Sequence, residues 1–372
     1  MDLIERSLGL QCVLEISSKW GRERYLEVEG DESFAGAVNR LLMDPEFNEK
    51  IESLKNAGIN FPSTPTDNPM YYESFQFPPQ GKLAVPDCGI QRKTLNPRNG
   101  REMIADHLPI GAYDESILKF STLEGSAFLT SHSLLVLDST AYWPINLLTF
   151  NFYTRSDTIV EKCHKIRKTT DPEMQSQKDH ILDKIKFLTK YAPTGSLLLI
   201  DGPLIGGDVY TYMIRAIKEF LSKRIIPVFF VKNSSSNLVT DNLDSLRGRY
   251  NSDLHWAYKF LKPGERTNFF EYSDIHDPKN SKFFTYLKAF DSSPQRIEVH
   301  RETMFLCRDI IESVPDLIYY MLLLQGDIRN PQVRPIAIAE RYARETLKLL
   351  DLEAVMKETG LVPTIDQVRF PW

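Results

Sequence analysis

The sequence contains no long apolar run. Within its 372 residues, no stretch approaches the roughly 18 consecutive apolar residues that a transmembrane helix needs. The first residues, MDLIERSLGL, include two acids and lack the apolar core of a signal peptide. These absences argue against a membrane protein and predict a soluble protein of the cytoplasm.

Paired cysteines and phosphate-binding loops are also missing. The four cysteines are scattered without a CxxC pair, so the sequence predicts neither a zinc knuckle nor a disulfide framework. No GxxxxGKS/T or GxGxxG motif occurs, which argues against a nucleotide-binding module. The net charge of -5 argues against a protein that coats nucleic acid, but it allows a local basic groove around an acidic centre.

The N-terminal part of the chain differs from the rest in its proline content. Asp31–Ala57 has apolar residues at helical spacing and predicts one helix, or two joined near Pro45. Prolines crowd Phe61–Pro97, which predicts an extended connector. We therefore expect a helical and extended N-terminal extension over 1–105, a central domain over 106–350 and a C-terminal tail over 351–372.

Strand-like and helical segments follow one another in a characteristic order. Three strands joined by short polar segments come first, then a helix with Asp171 as its N-cap, a fourth strand, a second helix and a fifth strand. The segments are Leu108–Asp114, Ala127–Asp138, Leu147–Tyr153, Pro172–Tyr191, Leu197–Asp201, Val209–Lys223 and Ile225–Val231. This order predicts an α/β fold with a ribonuclease H-like mixed sheet flanked by helices.

In such a sheet the first and fourth strands are neighbours, and each ends here in an aspartate. Asp114 and Asp201 are therefore candidates for a shared metal site. Two divalent ions about 4 Å apart activate water and stabilise the leaving oxygen in phosphodiester cleavage. Hard cations such as Mg²⁺ and Mn²⁺ prefer oxygen ligands. Asp138 also follows an apolar run and stays as the alternative first-strand ligand, although choosing it leaves only one strand before the helix.

A third carboxylate is expected from the helix before the fourth strand. At 100° per residue, the apolar residues of this helix cluster on one face. Glu173 lies at the border of that face, whereas Asp179 and Asp183 project nearly opposite it. The face argument selects Glu173 as the metal ligand and predicts that the two aspartates are solvated.

Four ordered segments resemble the NurA nucleases, over roughly Leu108–Leu347. LLLIDGPL is similar to the family's apolar strand ending in Asp-Gly-Ser-Leu, and IPVFFVKNSSSNL to the next strand with its lysine and serines. QRIEVHRE resembles a later Arg-x-Glu strand, and VRPIAIAERYA the closing helix signature. The resemblance implies a dimeric, Mn²⁺- or Mg²⁺-dependent DNA nuclease with 5′-to-3′ exonuclease and single-strand endonuclease activity. It also implies a partner, the hexameric ATPase HerA, in DNA end processing or defence against phage.

The resemblance also assigns residues, and some of them depart from the family pattern. Asp201 carries over as a metal ligand, but neither Asp114 nor Asp138 precedes the family's Gly-Ser. By sequence spacing the family's helix acid falls near Asp183 rather than Glu173. The two arguments therefore select different residues on this helix.

Two further positions bear on catalysis. Lys232 follows the fifth strand, where a cation can hold the scissile phosphate or stabilise developing charge. Where the family often has a tyrosine and, eight residues on, a histidine, this chain has Gln332 and Glu340. Glu340 can still bind metal or orient water. If it does neither, the alternative function applies, and the protein is a weakened or inactive structural or regulatory subunit of a HerA-type ATPase complex.

Overall fold

The computed structural model describes most of the chain in twelve segments. They are residues 26–29, 40–56, 81–84, 89–105, 108–137, 142–204, 210–243, 245–246, 249–274, 281–325, 327–329 and 331–364. Within them, no helix has the length and apolar character that a bilayer crossing requires.

The strands in the described segments form one sheet. They are β1 (Leu26–Glu29), β2 (Arg40–Met43), β3 (Gly81–Ala84), β4 (Arg92–Thr94), β5 (Ile110–Ser121), β6 (Ser126–Leu137), β7 (Tyr142–Thr154), β8 (Arg167–Lys168), β9 (Leu197–Asp201), β10 (Ile226–Val231), β11 (Glu265–Thr267), β12 (Phe270–Asp274), β13 (Ser281–Lys288) and β14 (Gln295–His300). Their principal order is β1-β2-β7-β6-β5-β9-β10-β14-β13-β11-β4.

Helices of the described segments cover both faces of this sheet. They are α1 (Phe47–Asn56), α2 (Pro97–Ala105), α3 (Asp157–Lys162), α4 (Pro172–Tyr191), α5 (Tyr210–Ser222), α6 (Asp253–Phe260), α7 (Arg301–Leu306), α8 (Arg308–Gln325), α9 (Arg334–Lys348) and α10 (Leu352–Glu358).

The centre of the sheet has the predicted ribonuclease H-like topology. In the order β7-β6-β5-β9-β10, β6 runs antiparallel to both of its neighbours, and β5, β9 and β10 are mutually parallel. Beyond β10, the antiparallel strands β14 and β13 extend the sheet. The predicted fold class, an α/β mixed sheet flanked by helices, is confirmed.

The N-terminal segments take part in the same sheet. β2 pairs in parallel with β7, β3 pairs with β12, and β4 pairs with β11. The helix predicted over Asp31–Ala57 is wrong at Arg40–Met43, which is strand β2. The helix begins only at Phe47, after the Asp44-Pro45 pair, because proline is poorly tolerated inside a helix. The division into three parts at residues 105 and 350 stays a prediction.

Alternation along the central strands separates two cores, because successive side chains of a strand point to opposite faces. Ala112, Leu199 and Val228 belong to the core shared with α8 and α9. The next residues along each strand, Tyr113, Ile200 and Phe229, belong to the core shared with α4 and α5. Each large apolar side chain that is fully buried contributes about 1.5–3 kcal/mol. This two-sided burial fixes the register and decides which face each polar residue at the strand ends occupies.

Candidate active site at the ends of the parallel strands

β9 delivers Asp201 to the open end of the sheet. Leu197–Ile200 is buried on both faces, as expected for a central parallel strand, and the strand ends at Asp201. Gly202 then takes a φ of 97°, which side chains disfavour, and its N–H donates to the Phe230 carbonyl at 2.9 Å. This turn carries the chain away and leaves the carboxylate partly accessible.

Asp114 lies beside Asp201 because of the strand register. The parallel pairing of β5 with β9 ends at Tyr113 and Ile200, so the next residue of each strand is an aspartate. Both aspartates continue the sheet face that α9 covers. β5 does not end at Asp114, as the sequence predicted, but continues to Ser121 as a partner of β6 alone. Asp114 therefore marks the point where β5 separates from β9, and it is only 7% exposed.

Lys232 connects this pair of strands to helix α9. Its Nζ lies 3.2 Å from Asp201 Oδ2 and 3.1 Å from Glu340 Oε2. Glu340 reaches the site from α9 and also pairs with Arg344 one turn further on. The lysine predicted as a cation at the strand tip thus lies between two carboxylates.

Burial and charge shift the pKa values of these groups. Burial, together with the negative charges of Asp201 and Glu115, raises the pKa of Asp114 to about 7. Burial also raises the pKa of Asp201, although Lys232 opposes that shift. Burial opposes the charged form of Lys232, but Asp201 and Glu340 outweigh it and raise the pKa of its ammonium. Lys232 is therefore shared by Asp201 and Glu340, while the neighbouring negative charges favour the protonated form of Asp114.

This donor set fits a hard divalent cation. Asp114 and Asp201 offer carboxylate oxygens from adjacent strands, and a cation would relieve the repulsion that, in addition to burial, raises the pKa of Asp114. Among the described residues, no group of three or more histidine, cysteine or acidic side chains is arranged to hold a metal ion. Two carboxylates suit Mg²⁺ in particular, since it is often bound by one or two carboxylates together with substrate phosphates.

A family comparison matches the segment that contains most of these residues. The family model of the NurA domain matches residues 167–345, from β8 through most of α9. This part of the chain belongs to the NurA family. The match includes Asp201, Lys232 and Glu340, whereas Asp114 comes before it.

Other comparisons are more distant. No curated protein matches the chain. Among solved structures, it is similar to the NurA nuclease from Sulfolobus solfataricus, with 10% identity and a TM-score of 0.47 over 73% of this chain and 86% of that one. It is also similar to Ciona intestinalis endonuclease V in complex with inosine-containing DNA (10% identity, TM-score 0.35, 66% of this chain and 88% of that one). A structure of NurA bound to dAMP and manganese gives 8% identity and a TM-score of 0.35 over 64% of this chain and 87% of that one. With such low scores, none of these likenesses bears on the chemistry of the present site.

The NurA domain begins just before helix α4, and the structure does not bring Glu173 to the strand ends. α4 runs over Pro172–Tyr191 as predicted, and the Asp171 side chain accepts the N–H of Met174 at 3.0 Å. Glu173, in its first turn, is exposed and forms an ion pair with Lys119, further along β5 than Asp114. The other alternative, Asp138, lies outside the described residues.

The face predicted to be solvated on α4 is buried, so that prediction is wrong. Asp179 and Asp183 are each 7% exposed. Asp179 accepts a 2.7 Å hydrogen bond from the Tyr153 hydroxyl and pairs with Arg167. The sheet surface beneath this part of the helix is polar, so hydrophobic spacing identifies the apolar part of the buried helix surface and misses the polar part. Asp183 lies in the same polar layer, close enough to act on the ionisation of Tyr113.

Sequence reasoning missed Glu115, the residue after Asp114. Alternation turns it to the α4 face, where its carboxylate lies 3.1 Å from both His180 Nε2 and Lys184 Nζ. Burial opposes its ionisation, but Lys184 and His180 outweigh burial and hold its pKa below the ordinary value. Its charge in turn raises the pKa of Asp114. The signal was Asp-Glu-Ser, where the family resemblance leads one to expect Asp-Gly-Ser.

Proposed function

We propose that the protein is a metal-dependent DNA nuclease that hydrolyses phosphodiester bonds at Asp114 and Asp201. The observation that supports this proposal is the pair of carboxylates side by side on adjacent parallel strands, at the sheet edge that Lys232 also occupies. Strand ends of this kind are open to a ligand, because the chain turns away there.

Asp114 and Asp201 are the residues that would hold the metal, Mn²⁺ or Mg²⁺. Such an ion activates water and stabilises the charge that develops on the leaving oxygen. A pair of ions, as the sequence suggested, requires a further carboxylate. Glu340 is the candidate, because it shares Lys232 with Asp201.

Lys232 has a role of its own in this proposal. Its side chain is 19% exposed, and two carboxylates fix the position of its ammonium. A fixed cation stabilises negative charge that develops on the scissile phosphate without having to reorganise during the reaction. The same charge favours the ionised form of Asp201, which burial opposes.

The proposed partners follow from the family resemblance. They are linear DNA as the substrate, a HerA-like hexameric ATPase, and a second copy of the chain in a homodimer. We place the activity in DNA end processing or defence against phage, with 5′-to-3′ exonuclease and single-strand endonuclease action. Location in the cytoplasm belongs to the same proposal.

A second candidate function is that of a weakened or inactive subunit in an ATPase complex of this type. It is favoured by Glu340, which stands where the family often has histidine, and by its ion pair with Lys232. In this case Lys232 supplies the positive charge that a nuclease takes from a metal ion, and the protein binds no metal at the strand ends.

The two candidates differ in metal binding and in catalysis. Purified protein is incubated with linear DNA and Mn²⁺ or Mg²⁺, with and without its cognate HerA-like ATPase, and Mn²⁺ binding is measured by calorimetry. A nuclease binds the ion and degrades DNA. A protein that binds no Mn²⁺ and leaves DNA intact in both conditions overturns the nuclease proposal and supports the second candidate.

A further inference from the structure

Two buried charged residues of β14 contact the segments that follow Asp201 and Lys232. Glu298 Oε2 accepts the backbone N–H of Leu204 at 2.9 Å, just after the turn that follows Asp201. Arg296 donates to the hydroxyl of Ser234 at 3.3 Å and also to that of Ser236. Both serines lie in the polar segment that follows Lys232. Strand β14 therefore binds both chain segments that leave the site, the one after β9 and the one after β10.

The strand register explains why these two residues act together. In the antiparallel pair of β10 and β14, Phe229 pairs with Glu298 and Val231 with Arg296. Ile297, between them, lies in the core on the α8 and α9 side. Glu298 and Arg296 therefore face away from the carboxylates, and they reach the site only through the chain segments that they bind.

Burying the charged side chains around Glu298 costs free energy. Glu298, Arg296 and Lys282 are 0%, 3% and 2% exposed. Lys282 Nζ and Arg296 Nε lie 2.6 and 2.8 Å from Glu298 Oε1. Taking ions out of water costs several kcal/mol per ion, and well-packed apolar side chains of similar volume often stabilise a fold equally well. Stability alone is thus a weak reason for three buried charges at this position.

The ionisation state of Glu298 suits its role as a hydrogen-bond acceptor. Burial opposes the charged form of Glu298, but Lys282 and Arg296 outweigh it and lower the pKa of the carboxyl. A carboxylate is the stronger acceptor for the Leu204 N–H, since hydrogen bonds to ionised groups are shorter and stronger than neutral ones.

We propose that Glu298 and Arg296 are positioning residues, which hold Asp201 and Lys232 in register by binding the segments that follow them. The inference rests on the proposed function, because it assigns a catalytic purpose to the position of those two groups. It predicts that loss of the contact slows turnover while binding of DNA remains.

The test compares two substitutions that remove the same charge. Glu298→Gln and Glu298→Leu both leave Lys282 and Arg296 without their carboxylate, so they lose similar stability, but only glutamine retains an acceptor for Leu204. Deuterium exchange of peptides covering 202–204 is measured on the full chain, together with kcat and KM on linear DNA with Mn²⁺. The control is Asp179→Asn, which removes the ion pair of another buried carboxylate with Arg167.

We expect deuterium exchange in 202–204 to be roughly tenfold faster in Glu298→Leu than in Glu298→Gln. We also expect kcat to be roughly tenfold lower in Glu298→Leu at similar KM. This is the lower end of the losses seen when groups that support metal ligands are removed. Asp179→Asn should retain the wild-type kcat. Equal exchange and equal kcat in the two Glu298 variants overturn the inference.

Where the Glu298 variants fail to fold, the double substitution Ser234→Ala, Ser236→Ala decides, since it removes two hydroxyl acceptors of Arg296 and leaves the buried ion pair with Glu298 in place. A reduced kcat with unchanged KM supports the inference, and a wild-type kcat overturns it. Absence of DNA cleavage by the wild type overturns the proposed function instead. In that case exchange in 202–204 and, for the double variant, in 232–236 decides whether β14 holds these segments.

Discussion

Lys232 Nζ lies 3.1 Å from Glu340 Oε2, although 108 residues of sequence separate the two side chains. Because the same ammonium also lies 3.2 Å from Asp201, the ion pair connects helix α9 to the end of β9. The closing helix of the NurA domain is thereby linked to the carboxylate that ends its central strand. The site depends on this distant part of the sequence as well as on the sheet.

Removing the ammonium of Lys232 should disrupt its ion pairs with Asp201 and Glu340 and slow DNA cleavage. In Lys232→Met, Asp201 and Glu340 face each other without compensation, so the pKa of Asp201 rises further and no cation contacts the phosphate. We expect a loss of roughly 10²–10³-fold in the rate of DNA cleavage, the range for removal of one stabilising group from an active site. Lys218→Met, on the exposed surface of α5, is the matched control and should retain the full rate.

Asp114 should make stability depend on pH. Its pKa of about 7 in the folded protein lies above the ordinary value of about 3.9 in an unfolded chain. Its contribution to stability is therefore present below pH 4 and is lost as the pH rises through 7. Asp114→Asn stays neutral, so its stability relative to wild type should grow by up to about 4 kcal/mol between pH 4 and pH 8. Urea unfolding in EDTA at each pH measures this. A constant difference contradicts the assigned pKa.

A substitution of Glu173 distinguishes the role seen in the structure from the role predicted by the helical face. The helical face argument makes it a metal ligand, whereas the structure pairs it with Lys119 on the surface. We expect Glu173→Gln to bind Mn²⁺ with wild-type affinity in calorimetry, and Asp114→Asn to bind it much more weakly. Loss of affinity in Glu173→Gln restores the ligand set favoured by the face argument.

Glu340 should matter through Lys232. In Glu340→Gln the lysine keeps Asp201 as its only carboxylate partner among the described contacts, and it is held less firmly. We expect cleavage to fall about tenfold, or 1.4 kcal/mol in activation free energy. Glu345→Gln on the same helix removes an exposed pair with Lys348 and serves as the control. Equal rates in the two variants argue against a role for Glu340.

The central fold could be predicted because each of its elements carries its own local signal. Asp171 and Pro172 fix the start of α4, and the buried run before Asp201 followed by Gly202 fixes the end of β9. The order of these elements was enough to place β5 beside β9. Asp114, Asp201 and Lys232 then come together because all three occupy the same face of the sheet, Asp114 where β5 separates from β9 and the other two where β9 and β10 end.

The features that could not be predicted from the sequence depend on contacts between residues that are distant along the chain. Hydrophobic spacing on α4 identified only the apolar part of its buried surface. It missed the polar part, where the helix packs its aspartates on a layer that includes Tyr153. The end of β5 was placed too early because β5 continues as a partner of β6 after it leaves β9. The contacts of Glu298 with Leu204 likewise have no local signature, since the two residues are 94 positions apart.

The central claim is that Asp114 and Asp201 together hold a divalent ion for DNA cleavage. The most direct measurement is the rate of linear DNA cleavage as a function of Mn²⁺ concentration, for wild type and for Asp201→Asn at equal, verified folding. We predict a rate that rises and saturates with Mn²⁺ in the wild type, and no detectable cleavage at any concentration in the variant. Equal rates in the two proteins, or a wild-type rate that does not depend on the ion, would contradict the account.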